Sequence, residues 1–178
     1  MTQANRDQHS LWLIPEPAAL DRFATLIAEF AHPRTCPVFT PHVTLLGELS
    51  GPVAQSAAAC TEAARRCPPL VARVSAVVAT NDSFRSMFLS LRLDARAVRL
   101  RQLISEKLAL PEPPDFQPHV SLAYGWAPCP QKSGALHTLA KEFAGHEFRL
   151  TAIAVAASAR TIPVADWSIC ESIAFSPE

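Results

Sequence analysis

Pro37-Val38-Phe39-Thr40-Pro41-His42-Val43-Thr44-Leu45 and Pro114-Asp115-Phe116-Gln117-Pro118-His119-Val120-Ser121-Leu122 are two copies of one phrase, Pro-x-Phe-x-Pro-His-Val-(Thr or Ser)-Leu. The offset between the histidines, 119 − 42, is 77, and the flanking segments align at this offset without a gap. Two histidines, each with a hydroxyl two residues later, therefore occupy equivalent places in two halves of the chain.

Each copy reads as the start of a strand. Side chains alternate along a strand, so His42 and Thr44 share one face while Val43 and Leu45 take the other. The same holds for His119 and Ser121 against Val120 and Leu122. At ~3.3 Å per residue, histidine and hydroxyl stand roughly 6–7 Å apart, around a group the size of a phosphate. Pro41 and Pro118 remove a backbone donor and fix the local geometry at each strand entrance.

Outward from the first copy, His9 to Ile14 reads as a strand. Leu20, Phe23, Ile27 and Phe30 then recur at helical spacing, with Pro17 in the first turn. After the motif strand, 42–49, the Ala-rich stretch 53–66 is a helix stopped by Pro68-Pro69, and the Val-rich stretch 70–79 is a strand. The second half repeats the order. A strand spans 85–93, Asp94 caps a helix over 95–108, and the motif strand covers 119–124. A helix over 131–144, a strand over 148–157 and an unmatched final strand over 167–175 complete it. Each half is thus β-α-β-α-β. The expected fold is α+β: one domain over 1–178 with two pseudo-symmetric lobes, about 9–80 and 85–176. Two antiparallel sheets with outer helices flank a central cleft.

Composition bounds the function. The 178 residues are 49% apolar, enough for a sizeable core, and the formal net charge is +0. A neutral chain does not suit extended binding along a nucleic-acid backbone. The five cysteines form no C-x-x-C pair and no zinc-like cluster with histidine. Met1 to Gln8 is polar, unlike a signal peptide, and no apolar run approaches the ~20 residues of a membrane span. A cytoplasmic, monomeric protein is expected, without membrane partner, metal or cofactor.

The paired motif points to phosphodiester chemistry. In-line attack at phosphorus needs a base on the incoming water and an acid on the departing oxygen, on opposite sides. Histidine, with a pKa near ~6.5, serves as either. Hydroxyls from Thr44 and Ser121 can donate to the non-bridging oxygens as charge develops. A single histidine after a proline is ordinary structure. Two in register, each with a hydroxyl at +2, are not what an apolar face selects for packing. His9, His32, His137 and His146 lack that hydroxyl and that recurrence, and read as structural or surface residues.

On these residues the chain resembles the 2H phosphoesterase superfamily, whose signature is a pair of H-x-(T/S)-x motifs. Here they are His42-Val43-Thr44-Leu45 and His119-Val120-Ser121-Leu122. Ser10-Leu11-Trp12, the Phe39-x-Pro41-His42 approach and Ser121-Leu122-Ala123-Tyr124-Gly125 are similar to the plant and yeast cyclic phosphodiesterase branch. The resemblance implies metal-free hydrolysis of a ribose cyclic phosphate, either ADP-ribose 1″,2″-cyclic phosphate or nucleoside 2′,3′-cyclic phosphates. By the same analogy one histidine activates water and the other protonates the leaving ribose oxygen; near-symmetry leaves both orders open, His119 as base with His42 as acid being the preferred one. Alternatives are a 2′-5′ RNA ligase-like enzyme acting on RNA ends, and a non-catalytic nucleotide-binding module of the same fold. Trp12, Phe84 and Tyr124 are candidates to wall the substrate, with core packing as the alternative for each. Alternation puts Tyr124 off the His119 face unless Gly125 or a bulge re-aims it. Arg85, beside Phe84, is a candidate to meet a pyrophosphate.

Overall fold

The computed structural model describes residues 8–111 and 115–176. The polar segment before Gln8, Pro114 at the head of the second phrase, and the last two residues lie outside them. The strands are β1 (Gln8–Pro15), β2 (Val43–Ser50), β3 (Leu70–Ala79), β4 (Met87–Leu93), β5 (His119–Ala123), β6 (Glu147–Ala157) and β7 (Ser168–Ala174). The helices are α1 (Pro17–Ala31), α2 (Val53–Ala64), α3 (Ala95–Lys107) and α4 (Pro130–Glu142).

All seven strands belong to one antiparallel sheet in the order β1-β2-β5-β4-β3-β6-β7, and β6 also pairs with β1. The sheets expected for the two lobes are therefore two halves of one closed ring. The repeat is visible in the pairing. Val43 pairs with Val120 across the β2–β5 seam, and these residues are separated by the repeat offset itself. On the far side of the ring Leu70 pairs with Leu150 and Arg73 with Glu147. Adding the offset to Leu70 and subtracting it from Leu150 gives 147 and 73, which is the other pair. A pseudo-two-fold axis thus passes through both seams and relates the two motif strands.

The helices form because their apolar residues fall on one face. In α1, Pro17 occupies the first turn and Ala19, Phe23, Leu26, Ile27 and Ala31 are buried. Phe23 packs edge-on to Phe148, with ring centroids 5.1 Å apart, tying α1 to β6. Asp94 caps α3 by accepting from the Arg96 N–H at 2.8 Å. One expected boundary moves. The strand predicted from Arg85 begins at Met87, because Ser83–Arg85 form a 3₁₀ turn whose Phe84 N–H donates to the Asp82 carboxylate at 2.9 Å. Among the described residues no helix is long and apolar enough to cross a membrane.

Candidate active site

The alternation of the motif strands holds. Val43, Leu45, Val120 and Leu122 are buried in the main core, which the helices cover. His42, immediately before β2, and His119, the first residue of β5, face away into a cleft of ≈ 240 Å³. Thr44, Trp12, Phe84, Arg85 and Tyr124 line the same cleft. Both imidazoles are held alike. His42 Nδ1 lies 2.7 Å from the Thr40 carbonyl, and His119 Nδ1 lies 2.9 Å from the Gln117 carbonyl. A carbonyl only accepts, so each Nδ1 carries the proton and each Nε2 is left for the cleft.

The two hydroxyls are not equivalent. Thr44 opens onto the cleft. Ser121 is buried, and its Oγ donates to the Phe84 carbonyl at 3.4 Å. Tyr124 reaches the cleft for a visible reason. Between Phe88↔Ser121 and Met87↔Ala123, β5 advances two residues while β4 advances one, so a bulge falls at Leu122. Gly125 then turns the chain at φ +68°. Together these re-aim Tyr124 onto the histidine side.

The aromatic walls are ordered. Trp12 stacks on His42 with centroids 3.8 Å apart and planes at 10°. Tyr124 stacks on Phe39 at 3.9 Å. Phe84 lies parallel to Trp167, at 6.1 Å and 12°. Trp167 also contacts Trp12, His42 and Tyr124, so it is the hub of the cluster. Sequence reasoning placed it only at the start of the last strand. Its segment has no repeat partner, and no pattern signalled that it folds back over the first motif. Glu48 and Arg160 were also missed. Both line the cleft, and Glu48 Oε1 accepts from the Arg160 backbone N–H at 3.1 Å.

Burial dominates the electrostatics. It pushes the His42 pKa down to about 4, against the Thr40 carbonyl, which raises it, and with His119, which lowers it further. Burial also lowers His119, less strongly. There the Gln117 carbonyl and Asp82 oppose the shift, and the Arg85 guanidinium adds to it. Arg85 Nε is buried with no hydrogen-bond partner among the described residues, and its guanidinium sits over the Phe88 ring at 4.7 Å. The cleft thus holds two neutral imidazoles at pH 7, with guanidinium groups from Arg85 and Arg160 against the one carboxylate of Glu48 in its lining, an excess of positive charge that suits a bound anion.

The family model described as the 2′-5′ RNA ligase superfamily matches residues 15–161. The chain belongs to this superfamily, the 2H phosphoesterases. The crystal structure of TT0787 from Thermus thermophilus is similar with a TM-score of 0.63 at 17% identity, covering 96% of this chain and 99% of that one. E. coli LigT complexed with NADP⁺ gives 0.58 at 13% identity, covering 95% and 98%. E. coli LigT complexed with 3′-AMP gives 0.52 at 14% identity, covering 96% and 98%. No curated protein sequence matches the chain. The structural neighbours establish the fold, and the superfamily is one of phosphoesterases.

Proposed function

We propose that this protein is a metal-independent cyclic phosphodiesterase that hydrolyses a ribose cyclic phosphate by two-histidine acid-base catalysis. The observation that carries this reading is the pair of imidazoles, related by the repeat, each with Nδ1 tied to the carbonyl two residues back and Nε2 left for one cleft. A phosphodiester seated between them has one Nε2 to take the proton of the attacking water. The other gives a proton to the departing ribose oxygen. Thr44 faces the non-bridging oxygens, and Ser121 joins it by exchanging its long bond to the Phe84 carbonyl for the phosphate.

The cleft is smaller than the ~300–1,000 Å³ of pockets that enclose a whole drug-sized ligand. It suits the ribose phosphate, with the rest of a nucleotide lying along Phe84, Trp167 and Tyr124. Arg85 and Arg160 would meet further phosphate, as in ADP-ribose 1″,2″-cyclic phosphate. The nucleotides in the LigT structures, 3′-AMP and NADP⁺, support a phosphorylated ribose ligand. The stronger depression at His42 favours His42 as base and His119 as acid, the reverse of the order preferred from the sequence. With that order, the productive protonation state is the dominant one between the two pKa values.

The test is hydrolysis of ADP-ribose 1″,2″-cyclic phosphate and the four nucleoside 2′,3′-cyclic phosphates in EDTA, for wild type, His42→Ala and His119→Ala. Turnover that each substitution lowers by ~10²–10⁴-fold supports the reading. Folded wild type that binds nucleotide without turnover makes the chain a binding module. Turnover confined to RNA ends favours the RNA ligase-like alternative.

A further inference from the structure

Lys132 is a buried charge with no carboxylate partner among the described residues. It is 4% exposed, on the core-facing side of α4 together with buried Leu139. Its Nζ donates to the Thr80 carbonyl at 2.8 Å and the Trp126 carbonyl at 2.6 Å. Burying an ammonium is costly unless acceptors meet its donors, and an apolar side chain of the same length would avoid that cost. The repeat has no counterpart to it: 132 − 77 is 55, and Gln55 is exposed at that place in the first half.

The two carbonyls belong to the two turns that carry one wall of the cleft. Thr80 opens the turn that ends in Phe84 and Arg85, and its Oγ1 donates to the Arg85 carbonyl at 2.6 Å. Trp126 lies two residues beyond Tyr124. Other bonds join the same turns: Gly125 N–H donates to the Ser83 carbonyl at 2.8 Å, and Ser86 Oγ donates to the Ala123 carbonyl at 2.7 Å. Lys132 closes this set from behind. The histidines, by contrast, rest on their own strands and on the Thr40 and Gln117 carbonyls.

We propose that Lys132 is a positioning residue for the cleft: its ammonium clamps the Thr80–Arg85 turn to the Tyr124–Trp126 turn, and so sets Phe84, Arg85 and Tyr124 against the substrate. The inference rests on the cleft being the nucleotide site proposed above. A buried polar link of this kind specifies an arrangement rather than adding net stability. Its loss shifts groups that bind substrate in ground and transition state alike, so it acts on KM more than on kcat.

The test compares wild type, Lys132→Met and Lys132→Gln. Met fills the same space without the donors, and Gln retains a donor for one carbonyl. Three readings are taken: KM and kcat on adenosine 2′,3′-cyclic phosphate, the Kd of adenosine 3′-phosphate, and the His42 and His119 titrations by NMR. In Lys132→Met, KM and Kd rise on the order of tenfold with kcat nearly unchanged, Gln lying between. The His119 pKa rises as Arg85 leaves its side, while that of His42 stays. Folded Lys132→Met with wild-type KM, Kd and His119 titration overturns the proposal. So does failure of both variants to fold, which would make Lys132 a support of the fold itself. A wild type without turnover sinks the proposed reaction instead, and the NMR titrations and Kd still read the clamp.

Discussion

Trp12 lies flat on the imidazole of His42, with centroids 3.8 Å apart and planes 10° from parallel. The indole is itself 2% exposed, so it closes one face of the histidine to water. Burial is the largest cause of the low His42 pKa. Trp12→Ala opens that face, and the His42 pKa is expected to move up from about 4 towards 6.5. NMR titration of the imidazole reads the shift. The same substitution leaves a hole that costs ~3–5 kcal/mol, to be read by chemical unfolding. A His42 titration unmoved in the folded variant would mean that the surrounding protein, not Trp12, keeps water away.

The His42 shift also makes stability depend on pH. The folded-state pKa, about 4, lies below the ordinary 6.5, so the unfolded chain takes up the proton first on acidification. The contribution is complete above pH 6.5, declines as pH falls, and is lost below about 4. The window corresponds to about 3 kcal/mol at ~1.4 kcal/mol per pKa unit. His119, lowered in the same direction, adds to the loss just below its ordinary pKa. Unfolding free energies measured across this range should fall more steeply for wild type than for His42→Gln. Parallel slopes would contradict a neutral, buried His42.

The pH–rate profile follows from the same two groups. The profile of kcat/KM reports the free protein, in which both histidines titrate below 6.5. The optimum is therefore expected on the acid side of neutrality, with activity falling on both flanks. Initial rates on a nucleoside 2′,3′-cyclic phosphate at subsaturating concentration give the curve. A rate that is flat from pH 4 to 9 is incompatible with acid-base catalysis by this pair.

How much of this was legible depends on whether a feature repeats. The offset of 77 located both motif strands, both histidines and both hydroxyls, and it recurs as the Val43–Val120 pair at the seam. Closure of the ring through β3–β6 and β1–β6 left no trace in any single segment, since pairing of distant strands imposes only the alternation that every strand has. The differing surroundings of Thr44 and Ser121 were hidden as well. So was the direction of Tyr124, which depends on a bulge and a left-handed glycine. Lys132 was read only as part of a helix. A lysine in an amphipathic helix is assigned to the solvent face by default, and only the packing reveals the carbonyls it serves.

Trp167 is the strongest case of a residue found by structure alone, and it gives the sharpest remaining prediction. Its ring runs parallel to Phe84 and meets Trp12, His42 and Tyr124, so it covers the cleft from just before the last strand, outside the repeat. It is only partly buried, and its indole N–H donates to the Ile162 carbonyl at 3.0 Å, which fixes the ring without filling its face. A base laid on that face gains ~1–3 kcal/mol. Trp167→Ala should therefore weaken binding of adenosine 3′-phosphate by roughly 5–150-fold, with kcat changed much less because neither imidazole is anchored through it. Trp167→Phe, which keeps a flat face, should recover most of the affinity. Calorimetric titration of the three proteins measures this. If Trp167→Ala binds as wild type does, the base lies elsewhere, and Trp167 serves only to cover His42 and Trp12.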